Sequence, residues 1–157
     1  PERATVEKTI ADLNLIAKVA LRGARPHADV KQALSSAAIF VQHSVTAENG
    51  DQESQGISLI EAMASGAAVV VTDHNGFSEA VINGETGLLS PEHDVESMAA
   101  NIVELTRNPI RAAKMRHAAR LRVEREFEAN TLAKRLQTAM FRHPVVGSSP
   151  ATRAVQP

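Results

Sequence analysis

Two glutamates with seven residues between them, Glu53 and Glu61, are the residues whose type and spacing point most directly to chemistry. Glu53 sits in a polar stretch with Glu48 and Asp51, whereas Glu61 lies inside the apolar string Ile57, Leu59, Ile60, Ala62, Met63 and Ala64. A carboxylate among such neighbours is costly unless hydrogen-bond donors meet it, and the hydroxyls of a sugar or ribose are donors of that kind. The same spacing also fits a Glu61 on the one solvated stripe of an amphipathic helix. Between the two, Gly56 permits close backbone approach at the start of a helix, where unpaired N–H groups and the dipole suit a phosphate.

These residues need a scaffold, and the sequence supplies one in alternation. Lys18–Arg22, Ala38–Gln42 and Ala67–Thr72 are short apolar runs that read as buried strands. Helix-like stretches, Asp29–Ser36, Ile57–Ala64 and Phe77–Ile82, fall between and after them. Asn83-Gly84 and Thr86-Gly87 supply turn chemistry before a short strand, Gly87–Ser90, which Pro91 closes. The rhythm predicts an α/β fold with a parallel sheet and helical crossovers. Beyond it, Asp94 is placed to cap a helix whose one face carries Val95, Met98, Ala99, Ile102 and Val103. Two more helices follow, about Ile110–Phe127 and Asn130–Arg142. The domain is expected to span 1–143, and 144–157, rich in Pro, Ser and Gly, is expected to be a disordered tail. In an open parallel sheet ligands sit beyond the carboxyl ends of the strands. Three loops qualify: Gly23–His27, the long stretch His43–Gln55, and Asp73–Gly76.

The stretch from Ala38 to Leu89, with AAIFVQHS followed by GDQESQGISLIEAMASGAAVVVTDHNGFSEAVINGETGLL, resembles the donor-binding domain of the glycosyltransferase group 1 family, retaining enzymes of GT-B architecture. A Glu-x7-Glu pair alone is a weak signal. Embedded in that order of strand, acidic loop, helix, strand and Asn-Gly-Glu-Thr-Gly turn, it is a strong one. The resemblance implies a Rossmann-like sheet forming the C-terminal half of a GT-B enzyme, followed by C-terminal helices. It implies that Glu61 holds the ribose hydroxyls of a nucleotide-diphosphate sugar, that Glu53, the catalytic candidate, lies against the transferred sugar, and that the amides around Gly56, Ile57 and Ser58 take the distal phosphate. Gly23, Ala24 and Arg25 would lie near the base, Asp73, His74 and Asn75 would flank the pocket, and His43 and Ser44 would stand nearby. Ser54 and Gln55 depart from the commoner family pattern and leave the sugar open.

In such enzymes the donor lies in a cleft between two domains, and the family's basic Arg and Lys come from a βα unit before the segment present here. The chain is therefore expected to be a piece of something longer, lacking the N-terminal domain that binds a glycan or lipid-linked acceptor. By itself it is expected to bind donor weakly or not at all and to turn over nothing. The rival reading is a non-catalytic nucleotide-sugar-binding module or inactive fragment; a third is a generic doubly wound domain with glutamates on its surface.

Composition removes other classes. There is no cysteine, hence no disulfide scaffold, thiol nucleophile or Cys-ligated zinc, which suits a cytoplasmic setting. A net charge of -1 gives no reason to expect nucleic acid as a partner. No apolar run reaches the ~18 residues of a membrane span, and Pro1-Glu2-Arg3 is not expected to open a signal peptide. No Asp-x-Asp pair occurs, and neither the histidines nor Glu48, Asp51 and Glu53 have metal-ligand spacing, so neither metal nor cofactor is expected beyond the donor itself. The basic residues from Arg107 to Arg125 read as a solvated helix face; a peripheral place for the full enzyme at the cytoplasmic face of a membrane is compatible with them. Glu79 is expected to serve a helix start electrostatically.

Overall fold

The computed structural model describes residues 2–54 and 56–142. The expected tail from 144 onward, His143 and Gln55 lie outside the described residues. The chain divides into two compact units, Pro1–Ala33 and Leu34–Pro157.

The first unit opens with helix α1 (Glu2–Asp12), and helix α2 (His27–Ser36) starts near its end. The strand expected at Lys18–Arg22 is not formed. Lys18 closes a turn on Leu15, and Val19–Gly23 follows without joining a ladder. β-favouring residues make a strand only where a neighbour takes up their N–H and C=O groups, so composition alone misled here.

The second unit is built on a three-stranded parallel sheet in the order β1 (Ile39–Gln42), β2 (Ala68–Thr72), β3 (Leu88–Ser90). Ile39 pairs with Ala68 and Val70 with Leu88. Parallel neighbours require crossovers, which α3 (Ile57–Ser65) and α4 (Gly76–Ala80) supply. After β3 come α5 (Val95–Arg107), α6 (Pro109–Glu126) and α7 (Ala129–Arg142). Central β2 is buried throughout, and its period of two divides the core. Val69 and Val71 join Leu59, Met63, Phe77, Ala119 and Val123 on one face, while Ala68 and Val70 join Leu88, Leu105, Ala112 and Met115 on the other. Helix α6 thus serves both clusters, through its first half on one and its second half on the other.

Helix ends are closed by identifiable groups. Asp94 caps α5 by accepting the Ser97 N–H at 2.9 Å, as its sequence position predicts. Gly66 ends α3 at φ 83°, where its N–H donates to Met63 O and that of Ala67 to Ala62 O, a Schellman arrangement that favours glycine. Two arginines of α6 that read as solvated surface act instead on carbonyls. Arg120 Nη1 donates to Ala64 O at 2.8 Å, and Arg122 donates to Ala80 O at 2.9 Å and Glu79 O at 2.7 Å. These cations meet the negative ends of α3 and α4. Among the described residues, no helix is long and apolar enough to cross a membrane.

Because Arg122 satisfies two carbonyls at the end of α4, Arg122→Ala is expected to lower unfolding stability by about 1.5–3 kcal/mol, the scale of hydrogen bonds to a charged group. Urea unfolding of parent and variant measures it, and a change below about 0.5 kcal/mol, the ordinary range of a surface substitution, would contradict the clamp.

Candidate functional site

The carboxyl ends of β1, β2 and β3 face one edge, and the residues just beyond them form a connected polar network. Past β1, Ser44 O accepts from Thr72 Oγ1 at 2.6 Å, tying the start of the long loop to the end of β2. The loop turns tightly at its middle: Ala47 N–H donates to Asp51 O and Gly50 N–H to Ala47 O, both at 2.9 Å, while Asn49 Oδ1 accepts from Asp51 N–H at 3.0 Å. Gln52 Nε2 then reaches back to Thr46 Oγ1 at 3.2 Å.

At the far end of this loop Glu53 is held through backbone and side chain. Its N–H donates to His74 Nε2 at 3.1 Å, its C=O accepts from Asn75 Nδ2 at 3.0 Å, and its Oε1 accepts from Gly56 N–H at 3.3 Å. The last contact places a negative group at the start of α3, where the dipole favours it. His74 is 1% exposed. Its other nitrogen, Nδ1, lies 2.5 Å from Glu92 Oε1, and the Glu92 carboxylate also accepts from Thr46 N–H at 2.8 Å and Thr46 Oγ1 at 3.4 Å. The His74 hydrogen bond, followed by that of the Thr46 amide, holds the Glu92 carboxyl below its ordinary value of 4.5; partial burial opposes them with less effect.

Helix α3 presents its first turn beside Glu53. Its N-cap, Gly56, adopts φ 60° and ψ 55° and is buried against Phe77. A glycine N-cap offers no side chain to the amides of Ile57 and Ser58, which come too early in the helix to reach a carbonyl of an earlier turn. Ile57, 67% exposed, and exposed Ser58 open that turn to the surface. Leu59, Ala62 and Met63 form the buried face. Glu61 is half-buried and falls on the opposite side of the helix, sharing it with Ile57 and Ser65. The apolar string around Glu61 in the sequence therefore does not enclose it: Ile57 faces outward, so the string wraps around the helix. Glu61 does have a partner within the chain.

The remaining expected residues are distributed as follows. Asp73 is exposed and its N–H donates to Ser90 O at 2.7 Å. Asn75 holds φ 37° and ψ -122°, a conformation that costs a non-glycine residue about 1–3 kcal/mol and persists where surroundings enforce it, here at Glu53 O. Ser44 is half-buried and His43 exposed. Gly23, Ala24 and Arg25 belong to the first unit; all three are exposed, and Arg25 Nε donates to Arg22 O at 3.0 Å. The structure thus gathers Glu53, Gly56, His74 and Asn75 into one bonded network, while Ser44 is bonded separately, to Thr72 and Gln42. Glu92, absent from the sequence reading, completes it; its one advance signal was its place two residues past a strand end. The described residues bring together no group of three His, Cys, Asp or Glu able to hold a metal ion.

Two measurements test this geometry. A Cβ at Gly56 would overlap the edge of the Phe77 ring, reaching Cδ1 at 2.8 Å, in a left-handed conformation that already disfavours it. Gly56→Ala is therefore expected to lower stability by about 1–3 kcal/mol in thermal or urea unfolding, and a neutral change would contradict the close approach. For Glu92, the lowered carboxyl means that its stabilisation is complete above 4.5 and is lost as pH falls through the lower folded-state value. Stability measured between about pH 5 and pH 2 should fall less steeply in Glu92→Gln than in the parent. Glu126 and Glu128, also lowered, keep part of the slope in both. Identical slopes would contradict the assignment.

Comparison with known proteins places the fold. The pattern that defines the glycosyl transferases group 1 family matches residues 1–122. The amylovoran biosynthesis glycosyltransferase AmsK of Erwinia amylovora is 34% identical over 139 residues, which is 88% of this chain and 34% of that protein. A putative colanic acid biosynthesis glycosyltransferase, WcaL of Escherichia coli, is 32% identical across 78% of this chain and 30% of its own length. This chain thus spans about a third of these relatives. Among solved structures, Anabaena Alr3699/HepE in complex with UDP superposes with a TM-score of 0.78 at 24% identity, over 89% of this chain and 36% of that one. The sucrose-phosphate synthase of Thermosynechococcus elongatus superposes with a TM-score of 0.75 at 28% identity, over 90% of this chain and 34% of that one. The fold is that of GT-B glycosyltransferases, and the chain belongs to the glycosyl transferases group 1 family.

Proposed function

We propose that this chain is the donor-binding domain of a retaining glycosyltransferase, one that transfers a sugar from a nucleotide-diphosphate sugar to a glycan or lipid-linked acceptor. The observation that carries the reading is the juxtaposition of the Glu53 carboxylate with the open first turn of α3, with Glu61 farther along the same helix. In support, the similar HepE structures contain UDP or UDP-glucose, and AmsK and WcaL are named for the biosynthesis of amylovoran and colanic acid.

In this reading the amides of Gly56, Ile57 and Ser58 receive the distal phosphate, and as the bond between sugar and phosphate breaks they stabilise the charge collecting on the leaving diphosphate. The hydrogen bond from Gly56 N–H to Glu53 Oε1 is long at 3.3 Å and can yield to phosphate, freeing Glu53 to face the transferred sugar. Glu61, on the outward side of α3, accepts the two ribose hydroxyls, which suit the paired oxygens of a carboxylate. Asp73 and Asn75 flank the pocket, and no metal is required. Acceptor binding and the remaining cations for the diphosphate are assigned to the rest of a longer protein, acting in the cytoplasm or at the cytoplasmic face of a membrane. Residues 1–157 alone hold donor weakly and complete no transfer, since proximity and charge stabilisation are not both met.

Calorimetric titration with UDP-glucose and GDP-mannose at millimolar concentration tests the reading. The parent is expected to bind one of them weakly, and Glu61→Ala to bind it at least about tenfold more weakly, the scale of one lost charge-assisted hydrogen bond. Equal affinity in the variant, or no heat from the parent with either donor, would contradict it.

A further inference from the structure

We propose that His74 and Glu92 are positioning residues for Glu53, acting as a relay in which Glu92 fixes the imidazole so that its Nε2 receives the Glu53 peptide N–H. The role assigned to Glu53 rests on the donor-site reading above; the relay itself rests on contacts within the chain.

The chemistry of the ring decides the argument. A neutral imidazole offers one N–H and one bare nitrogen, and the partner of each identifies which is which. The Glu53 N–H can only donate, so His74 Nε2 must be bare. The Glu92 carboxylate is an acceptor, so Nδ1 must carry the proton. Both partners select one tautomer, in the manner of a carboxylate that orients a ligating histidine from behind. Burial adds to this, since a ring 1% exposed has no water to replace a lost partner. The edge of Phe77 stands against it at 6.0 Å between centroids and 72° between planes, restricting its rotation.

The relay links three strand ends. His74 lies two residues past β2, Glu92 two past β3, and Thr46, whose N–H donates to Glu92, follows β1. Glu92 therefore grips the first part of the long loop directly at Thr46 and its last part through His74 at Glu53. Asn75, next to His74, takes the Glu53 carbonyl, so the peptide groups on both sides of the Glu53 Cα are fixed from one short segment. Rotation of the ring or loss of its proton acceptor would release the Glu53 backbone without touching the core strands.

Nitrogen NMR of the 157-residue chain tests the relay. In the parent, the long-range spectrum of His74 near neutral pH is expected to show Nδ1 protonated and Nε2 bare. In Glu92→Leu, which removes the acceptor, the Glu53 amide resonance should move or broaden while those of Val69, Val70 and Val71 stay in place. Glu92→Gln, which keeps an oxygen for Nδ1–H, should restore the parent position. A protonated Nε2 in the parent, or a Glu53 resonance unmoved in Glu92→Leu, would overturn the proposal; should Glu92→Leu fail to fold, the parent tautomer and the Glu92→Gln spectrum still decide it. With UDP-glucose and GDP-mannose as probes, Glu92→Leu is expected to bind about tenfold more weakly than the parent, the lower end of what orienting partners carry. Absence of any response to donor in the parent would count against the donor-site reading, while the tautomer and the Glu53 resonance would still judge the relay.

Discussion

The loop from 43 to 55 has little to bury: Val45 and Ala47 are its apolar residues, and the rest are polar, charged or glycine. Hydrophobic packing therefore cannot set its course, and its backbone groups must find partners one by one. They find them at the ends of neighbouring strands, where Thr72, Glu92, His74 and Asn75 together engage Ser44, Thr46 and Glu53. A parallel sheet makes this possible, because every βα connection leaves from the same edge. The placement of Glu53 beside α3 is thus a property of three loops at once and of no single motif.

The rigid half of the arrangement is β2 and what it carries. All of its residues are buried, so its register against β1 and β3 is strongly specified, and with it the positions of Thr72 and His74. Helix α6 stabilises the same frame from behind, filling both core clusters and neutralising the ends of α3 and α4 with Arg120 and Arg122. Phe77 couples core to site: one ring packs into the core, limits the space at Gly56 and stands against His74. The first turn of α3 is consequently held on a scaffold with little freedom to shift, which a phosphate seat made of backbone amides needs.

Where the chain states its structure locally, the sequence was readable. The apolar runs of β1 and β2, the cap at Asp94 and the turn from Asn83 to Gly87 follow from composition, period and side-chain chemistry within a few residues. Where the outcome depends on distant partners, it was not. Lys18–Arg22 has strand-forming residues but no ladder. The burial of His74 and the part played by Glu92 depend on contacts across 21 and 18 residues, and neither residue type advertises them. Arg122 looked like a surface charge because its acceptors lie more than forty residues away. For Glu61 the sequence left two readings open, enclosure among apolar neighbours or the solvated stripe of a helix, and only the folded helix shows it turned away from Leu59, Ala62 and Met63. The family pattern was legible earlier than any of these geometric details, because the order of loop, glutamates, helix and turn survives without them.

The claim at the centre is that an amide-lined helix start and an outward carboxylate on the same helix form the seat of a nucleotide-diphosphate sugar. A crystal structure with intact donor bound tests it most directly. Phosphate oxygens within hydrogen-bond reach of the Gly56, Ile57 or Ser58 amides, with ribose hydroxyls on the Glu61 carboxylate, is the predicted result. A donor bound elsewhere, with Glu61 making no contact to it, would contradict the account.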